Sequence, residues 1–167
     1  GARSVTAGER RMEQQERLRS VLAIMDAQIA SQMPLTHDAE KGRKYYFDAG
    51  SRALRLATSY SIWSGQRGYV LVDYIIETDH DGKDVLYAAE QVPGVEGRLY
   101  TRLIEASEMS FEYFYKGPAD EKGNWLEAMS EGTAIPQQIR FRMLHRTGKL
   151  SHLFPVRVQG TMAPVQG

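Results

Sequence analysis

Residues 16–33 read ERLRSVLAIMDAQIASQM, and their apolar spacing sets the first expectation for the fold. Leu18, Leu22, Met25, Ile29 and Met33 recur at intervals of four, three, four and four. That places them on one face of an α-helix, with Val21 beside them. From Arg3 to Met33 there is no proline and Gly8 is the only glycine, so the pattern predicts one uncapped helix over the whole span. Pro34 is its stop, because the residue before a proline avoids helical backbone angles. Leu22, Met25 and Ile29 are expected to be buried. Between Arg3 and Arg17 the only apolar side chains larger than alanine are Val5 and Met12, set among Arg10, Arg11, Glu13, Glu16 and Arg17. This half has little to bury. The helix is therefore expected to dock its C-terminal half on a domain and to project the rest as a part that plugs into an assembly. Val5, Arg11, Met12, Gln15, Arg17 and the edge of the seam at Leu18 are the candidate partner-binding residues.

Downstream the period changes from helical to alternating. Leu35 to Arg43 reads as a polar connector, and Tyr45 to Phe47 and Arg52 to Thr58 as short strands. From Tyr69 to Glu77, Tyr69, Leu71, Asp73 and Ile75 face one side while Val70, Val72, Tyr74 and Ile76 face the other. Asp79-His80-Asp81-Gly82 is a turn signal and Val85 to Glu90 a returning strand, which together predict a hairpin. Pro93 to Gly97 reads as a loop, and Arg98 to Ile104 and Met109 to Tyr115 as strands. A loop over Lys116–Asn124 leads to Trp125, and Gln138 to His145 and Leu150 to Val158 flank Arg146-Thr147-Gly148-Lys149 as a second hairpin. Gln159 to Gly167 is expected to fray. The division is thus residues 1–33 as helix, 44–158 as a β-rich body and 159–167 as tail, within a single domain of residues 1–167.

Composition narrows the function classes. At 167 residues and 18.9 kDa the chain is long enough to bury a core without metal or disulfide support. Lys+Arg and Asp+Glu both count 21, for a formal net charge of zero. A sequence-independent nucleic-acid binder needs a cation excess to displace counterions, so no nucleic-acid partner is expected. No cysteine is present, which removes disulfides, thiol nucleophiles and thiolate metal sites. No apolar run approaches the roughly 18 residues of a membrane span, and no signal-peptide core is present. Beginning at Gly1, the chain reads as a fragment of a longer protein.

Motifs for chemistry are sparse, and no catalytic residue, cofactor or metal is assigned. The four histidines lie outside any metal-ligand spacing, although His145 and His152 can face each other across the last hairpin. Ser64-Gly65-Gln66-Arg67-Gly68 is bounded by glycines but precedes a strand, so it reads as a turn and not a phosphate loop. Glu77, Asp79 and Asp81 followed by Gly82 match the start of an EF-hand loop, but the twelfth position is Ala88 and the flanks are strands. Turn chemistry accounts for the same letters. Tyr45, Tyr46, Phe47, Tyr60, Trp63, Phe111, Tyr113, Phe114 and Tyr115 can form a stacking platform or cover sheet faces. Without a basic stripe the second reading is preferred, for Trp63 and Trp125 as well.

The order of segments carries a resemblance. ERLRSVLAIMDAQIASQ (16–32), a strand region around Phe47 and Leu54–Leu56, GYVLVDYIIE (68–77), VLYAAEQ (85–91), LIEASEMSFEYFYKG (103–117), GNWLEAM (123–129) and IPQQIRFRMLH (135–145) together resemble the periplasmic domain of the type II secretion minor pseudopilin J family. The likeness runs from about Glu16 to Val158, with Val72-Asp73-Tyr74, Trp125 and Ile135-Pro136 ahead of Ile139 and Phe141 as its most telling pieces. The resemblance implies an α+β, pilin-like fold, with a long N-terminal helix packed on antiparallel β-sheet. It also implies a non-enzymatic role near the tip of a pseudopilus, with I- and K-type minor pseudopilins as partners, in the bacterial periplasm. The family's leader and hydrophobic helix, its inner-membrane anchor, are then expected upstream of Gly1, with Ser4 to Arg17 leading back to the membrane. A type IV minor pilin, a ligand-binding β-rich module for sugar or lipid, and a small hydrolase or isomerase remain alternatives.

Overall fold

The computed structural model describes residues 6–63 and 68–160. Among them one helix, α1 (Ala7–Ala30), precedes eleven strands: β1 (Thr36–Ala39), β2 (Gly42–Tyr45), β3 (Phe47–Ala49), β4 (Ala53–Thr58), β5 (Val70–Thr78), β6 (Asp84–Gln91), β7 (Leu99–Ala106), β8 (Glu108–Tyr115), β9 (Asn124–Leu126), β10 (Gln138–His145) and β11 (Gly148–Pro155). They form an antiparallel meander β3-β4-β5-β6-β7, a four-stranded sheet β11-β10-β8-β9 and a separate hairpin β1-β2. Strands take 48% of the described residues and the helix 16%, so the class is β-rich, in three sheets. This corrects the expected α+β, pilin-like arrangement of a long helix packed on a sheet. The physical reason lies in the core. Among the described residues α1 contributes only Val21, Met25 and Ile29 to the buried apolar set, whereas the strands supply Leu54, Leu56, Tyr74, Leu86, Phe111, Tyr113, Ile139, Phe141 and Phe154.

The helix is shorter than its periodicity predicts, and capped. Thr6 takes extended backbone angles and its hydroxyl accepts from Glu9 N at 3.2 Å. At the other end α1 stops before Pro34 is reached. Ser31 N closes onto Ala27 O at 3.1 Å, Gln32 then bridges Thr58, and Met33 N donates to Ala57 O at 2.9 Å. The chain leaves the helix because the end of β4 offers its backbone groups other partners.

Three further expectations are corrected. The connector Leu35–Arg43 forms β1 and the start of β2, a hairpin held by Arg43 against Thr36 (2.8 Å) and Asp38 (3.1 Å), with Gly42 at φ 108° as the first residue of β2. Polar cross-strand pairing builds it, so a search for apolar alternation misses it. The loop before Trp125 ends in the short strand β9, paired with Tyr113–Tyr115. The tail does not start at Gln159 as a frayed end: Gly160 is buried and its carbonyl accepts from Ile135 N at 2.8 Å. A Cβ on Gly160 would come within 2.7 Å of Ile135 Cδ1, so a larger residue there would have to push that side chain aside. Residues 161–167, and residues 64–67 of the turn expected at Ser64–Gly68, lie outside the described residues.

The two large sheets are sewn together where β7 leads into β8 through Ser107. Met109 N donates to Asp84 Oδ2 (2.9 Å), Phe111 N to Ser51 O (2.8 Å) and the Tyr113 hydroxyl to Gly50 O (2.8 Å). One apolar cluster runs through both sheets and reaches α1, consistent with a single folding unit.

Candidate functional site

From Ala7 to Arg17 every residue of α1 is exposed. Of the partner-binding candidates, Arg11, Met12 (63% exposed), Gln15 and Arg17 lie on this segment. Leu18 sits at its base, half-buried and packed on the core, and Val5 falls outside the described residues. Among the described residues none of Glu9, Arg10, Arg11, Glu13, Glu16, Arg17 or Arg19 takes part in an ion pair. The segment spans about 16 Å at the helical rise and carries its charges free.

The docked half is held by more than its apolar stripe. Val21, Met25 and Ile29 are buried, but Leu22 is only half-buried, and the fourth buried position is Gln28. Its side-chain amide lies at the centre of a polar network between helix and sheet. The Tyr74 hydroxyl donates to Gln28 Oε1, while Gln28 Nε2 donates to Glu90 Oε2 at 2.8 Å and to Tyr60 O at 3.1 Å. The Glu90 carboxylate, 2% exposed, also accepts from Ser61 Oγ at 2.5 Å and Ile62 N at 2.7 Å. Thr58 Oγ1 donates to Gln28 O at 2.7 Å. Burial, reinforced by the charge of Glu90, pushes the Tyr74 hydroxyl well above its usual pKa and keeps it a donor. Reading the seam for apolar residues passed over Gln28. The available signal was a glutamine three residues after Met25 on a face otherwise apolar.

A cleft of about 690 Å³ opens where the sheets meet, lined by Arg52, Thr78, Asp84, Ser110, Arg142 and Lys149 among others. Of its two carboxylates, Asp84 and Glu108, the first is already committed. Arg52 grips Asp84 with both terminal nitrogens, at 3.0 and 3.1 Å, and Thr78 Oγ1 and Met109 N also donate to it. These bonds, Arg52's first, hold the Asp84 carboxyl below the usual range against the opposing effect of burial. With its folded pKa depressed, Asp84 contributes stability above the ordinary aspartate pKa and loses it as pH falls through the folded one. Urea midpoints measured from neutral pH to about pH 2 should therefore fall more steeply for wild type than for Asp84→Asn, which starts lower at neutral pH. Parallel acid limbs would remove Asp84 from this role.

The other motifs resolve into local structure. In the 79–82 turn Asp79 Oδ1 accepts from Asp81 N and Lys83 N, both at 2.9 Å, and Gly82 has φ 78°. Backbone requirements thus account for Asp79 and Gly82. His145 pairs with Gly148, and His152 lies opposite Phe141, so the two histidines do not face each other. His152 instead meets Asp26 of α1 at 3.3 Å. Among the described residues no group of three or more His, Asp or Glu side chains is placed to hold a metal, and no helix is long and apolar enough to cross a membrane. Phe47, Phe111 and Tyr113 are core residues. Trp125 lies on the sheet with the Arg140 guanidinium 3.8 Å from its ring centre and Phe114 at 5.4 Å, a cation–π and aromatic stack. Trp63 is 57% exposed and covers little.

No family model matches the chain, and no curated protein does. Of the sequence-derived candidates, Arg11, Met12, Gln15 and Arg17 lie together on the exposed half of α1, whose other half is locked to the sheet through Gln28.

Proposed function

We propose that this chain is a non-enzymatic structural component of a type II secretion pseudopilus. In this reading it is a minor pseudopilin that assembles near the tip with I- and K-type minor pseudopilins, in the bacterial periplasm, and is anchored in the inner membrane by a segment outside the sequence described. The observation that carries the assembly role is the segment Ala7–Arg17, helical and exposed throughout while its C-terminal continuation is fixed in the core. A polar helix of this length gains little from folding alone, and packing against a partner helix supplies what it lacks. Its unpaired charges can select partner and register through opposite-sign contacts, with Met12 and Leu18 as the apolar contacts between them. The ordered resemblance of residues 16–158 supports the identity of that assembly.

The test combines the three periplasmic domains on a sizing column at about 1 μM each. Co-elution is expected for wild type, with Arg11→Glu/Arg17→Glu weakening it by about tenfold while the melting temperature stays unchanged. In cells the same variant should reduce secretion. Independent elution of wild type, or full secretion by the variant, would overturn the proposal.

A further inference from the structure

A single buried carboxylate fastens two segments that reach the surface. Glu90, on β6 and 2% exposed, accepts from Gln28 Nε2 of α1 and from Ser61 Oγ and Ile62 N of the β4–β5 connection. Among the described residues no lysine, arginine or histidine pairs with it. It is held by hydrogen-bond donors alone, one from the helix and two from the connection. Removing either set leaves a buried carboxylate short of partners.

The helix and the connection are also tied to each other directly. Gln28 Nε2 donates to Tyr60 O at 3.1 Å, and Ser59 N donates to Ser31 O at 3.0 Å. Thr58 Oγ1 donates to Gln28 O at 2.7 Å and accepts from Tyr60 N at 3.2 Å. Further along, Trp63 N donates to Ser61 Oγ at 3.1 Å. Residues 58–63 thus take their shape from groups that α1 and Glu90 hold in place. At the end of this segment Trp63 is 57% exposed, while at the other end of the helix residues 7–17 are exposed throughout.

Withdrawal of α1 strips several groups at once. Glu90 loses its Gln28 donor, the Tyr74 hydroxyl and Thr58 Oγ1 lose their acceptors, and Ser59 N loses Ser31 O. Polar groups at this depth bear most of their desolvation cost when left unpaired, so the opened network is stable only where water reaches it. Water at Glu90 competes with Ser61 Oγ and Ile62 N, the two bonds that fold the connection over the carboxylate. A half-satisfied network is less stable than either the closed or the hydrated one, which makes its opening cooperative. We infer that α1 and residues 58–63 form one latch closed on Glu90, so that undocking the helix opens the segment and opening the segment undocks the helix. By linkage, a partner that binds the closed segment favours the docked helix, and one that draws the helix away frees the surface at Trp63. This coupling does not depend on which partner the exposed half of α1 meets.

Native-state amide exchange across a urea series reads the latch directly. In wild type the amides of Met25 and Gln28 should merge with that of Ile62 on one opening isotherm, at a lower opening free energy than Phe141 in β10. Ala23→Gly, at an exposed position of α1, lowers helix propensity without changing any group of residues 58–63. It should speed exchange at Ile62 by about fivefold, as at Met25. Ser61→Ala removes a Glu90 donor from the other side, and should speed exchange at Met25 and Ile62 by equal factors. Ile62 exchange unmoved by Ala23→Gly, or Met25 exchange unmoved by Ser61→Ala, would overturn the coupling. So would a wild-type Ile62 amide that opens only together with Phe141, because no separate latch would then exist.

Discussion

Ile29→Ala is expected to destabilise the domain by about 2–5 kcal/mol, whereas Arg11→Ala should change it by less than about 0.5 kcal/mol. Ile29 is 1% exposed within the cluster that joins α1 to both sheets, so truncation loses its transfer free energy and leaves a cavity that surrounding strands cannot collapse into. Arg11 touches none of that cluster. Leu22→Ala should fall between the two, because Leu22 is only half-buried despite its place on the apolar face. Urea unfolding at constant m-value measures all three. An Arg11→Ala loss as large as that of Ile29→Ala would reverse the assignment of the docked and projecting halves, and with it the basis of the assembly proposal.

Gln28→Leu should cost about 3 kcal/mol or more, although it replaces a polar buried side chain with an apolar one of similar size. Volume is nearly conserved, so packing is not the cause. The substitution strips the Tyr74 hydroxyl of its acceptor and takes one of three donors from the buried Glu90 carboxylate. Groups left unpaired at such depth bear most of their desolvation cost. Tyr74→Phe in the wild-type background should cost about 1–2 kcal/mol. In the Gln28→Leu background it should cost less by about 1 kcal/mol, since the hydroxyl has already lost its partner. Additive losses would mean that the two residues act separately, and a Gln28→Leu variant as stable as wild type would mean that the network does not fasten the helix.

Element type was legible where hydrophobic period and turn chemistry agreed. The Tyr69–Glu77 alternation, the 79–82 turn and the return through Val85–Glu90 became the β5–β6 hairpin in the expected register of faces. The helix existed where its seam placed it, with Val21, Met25 and Ile29 inward. The fold class was not legible in the same way. A long periodic segment at the start gave the helix more weight than its few core residues warrant, while ten or more short strands, each individually weak, carried most of the buried surface. Hairpins built on polar pairs, such as β1–β2, leave no apolar trace to count.

The candidate site divides along the same line. That residues 7–17 have little to bury follows from their letters, because a helical stretch whose one large apolar side chain is Met12 adds little to an apolar core. Sequence alone therefore determined the exposed segment, the lack of a cation excess and the turn at Asp79-Gly82. Only tertiary structure decided that Gln28 is buried, that Glu90 comes from β6 to meet it, and that Ser61 and Ile62 close on the same carboxylate. These are contacts between residues tens of positions apart. Chain order encodes them only through the packing of the whole, so local period and composition cannot reveal them.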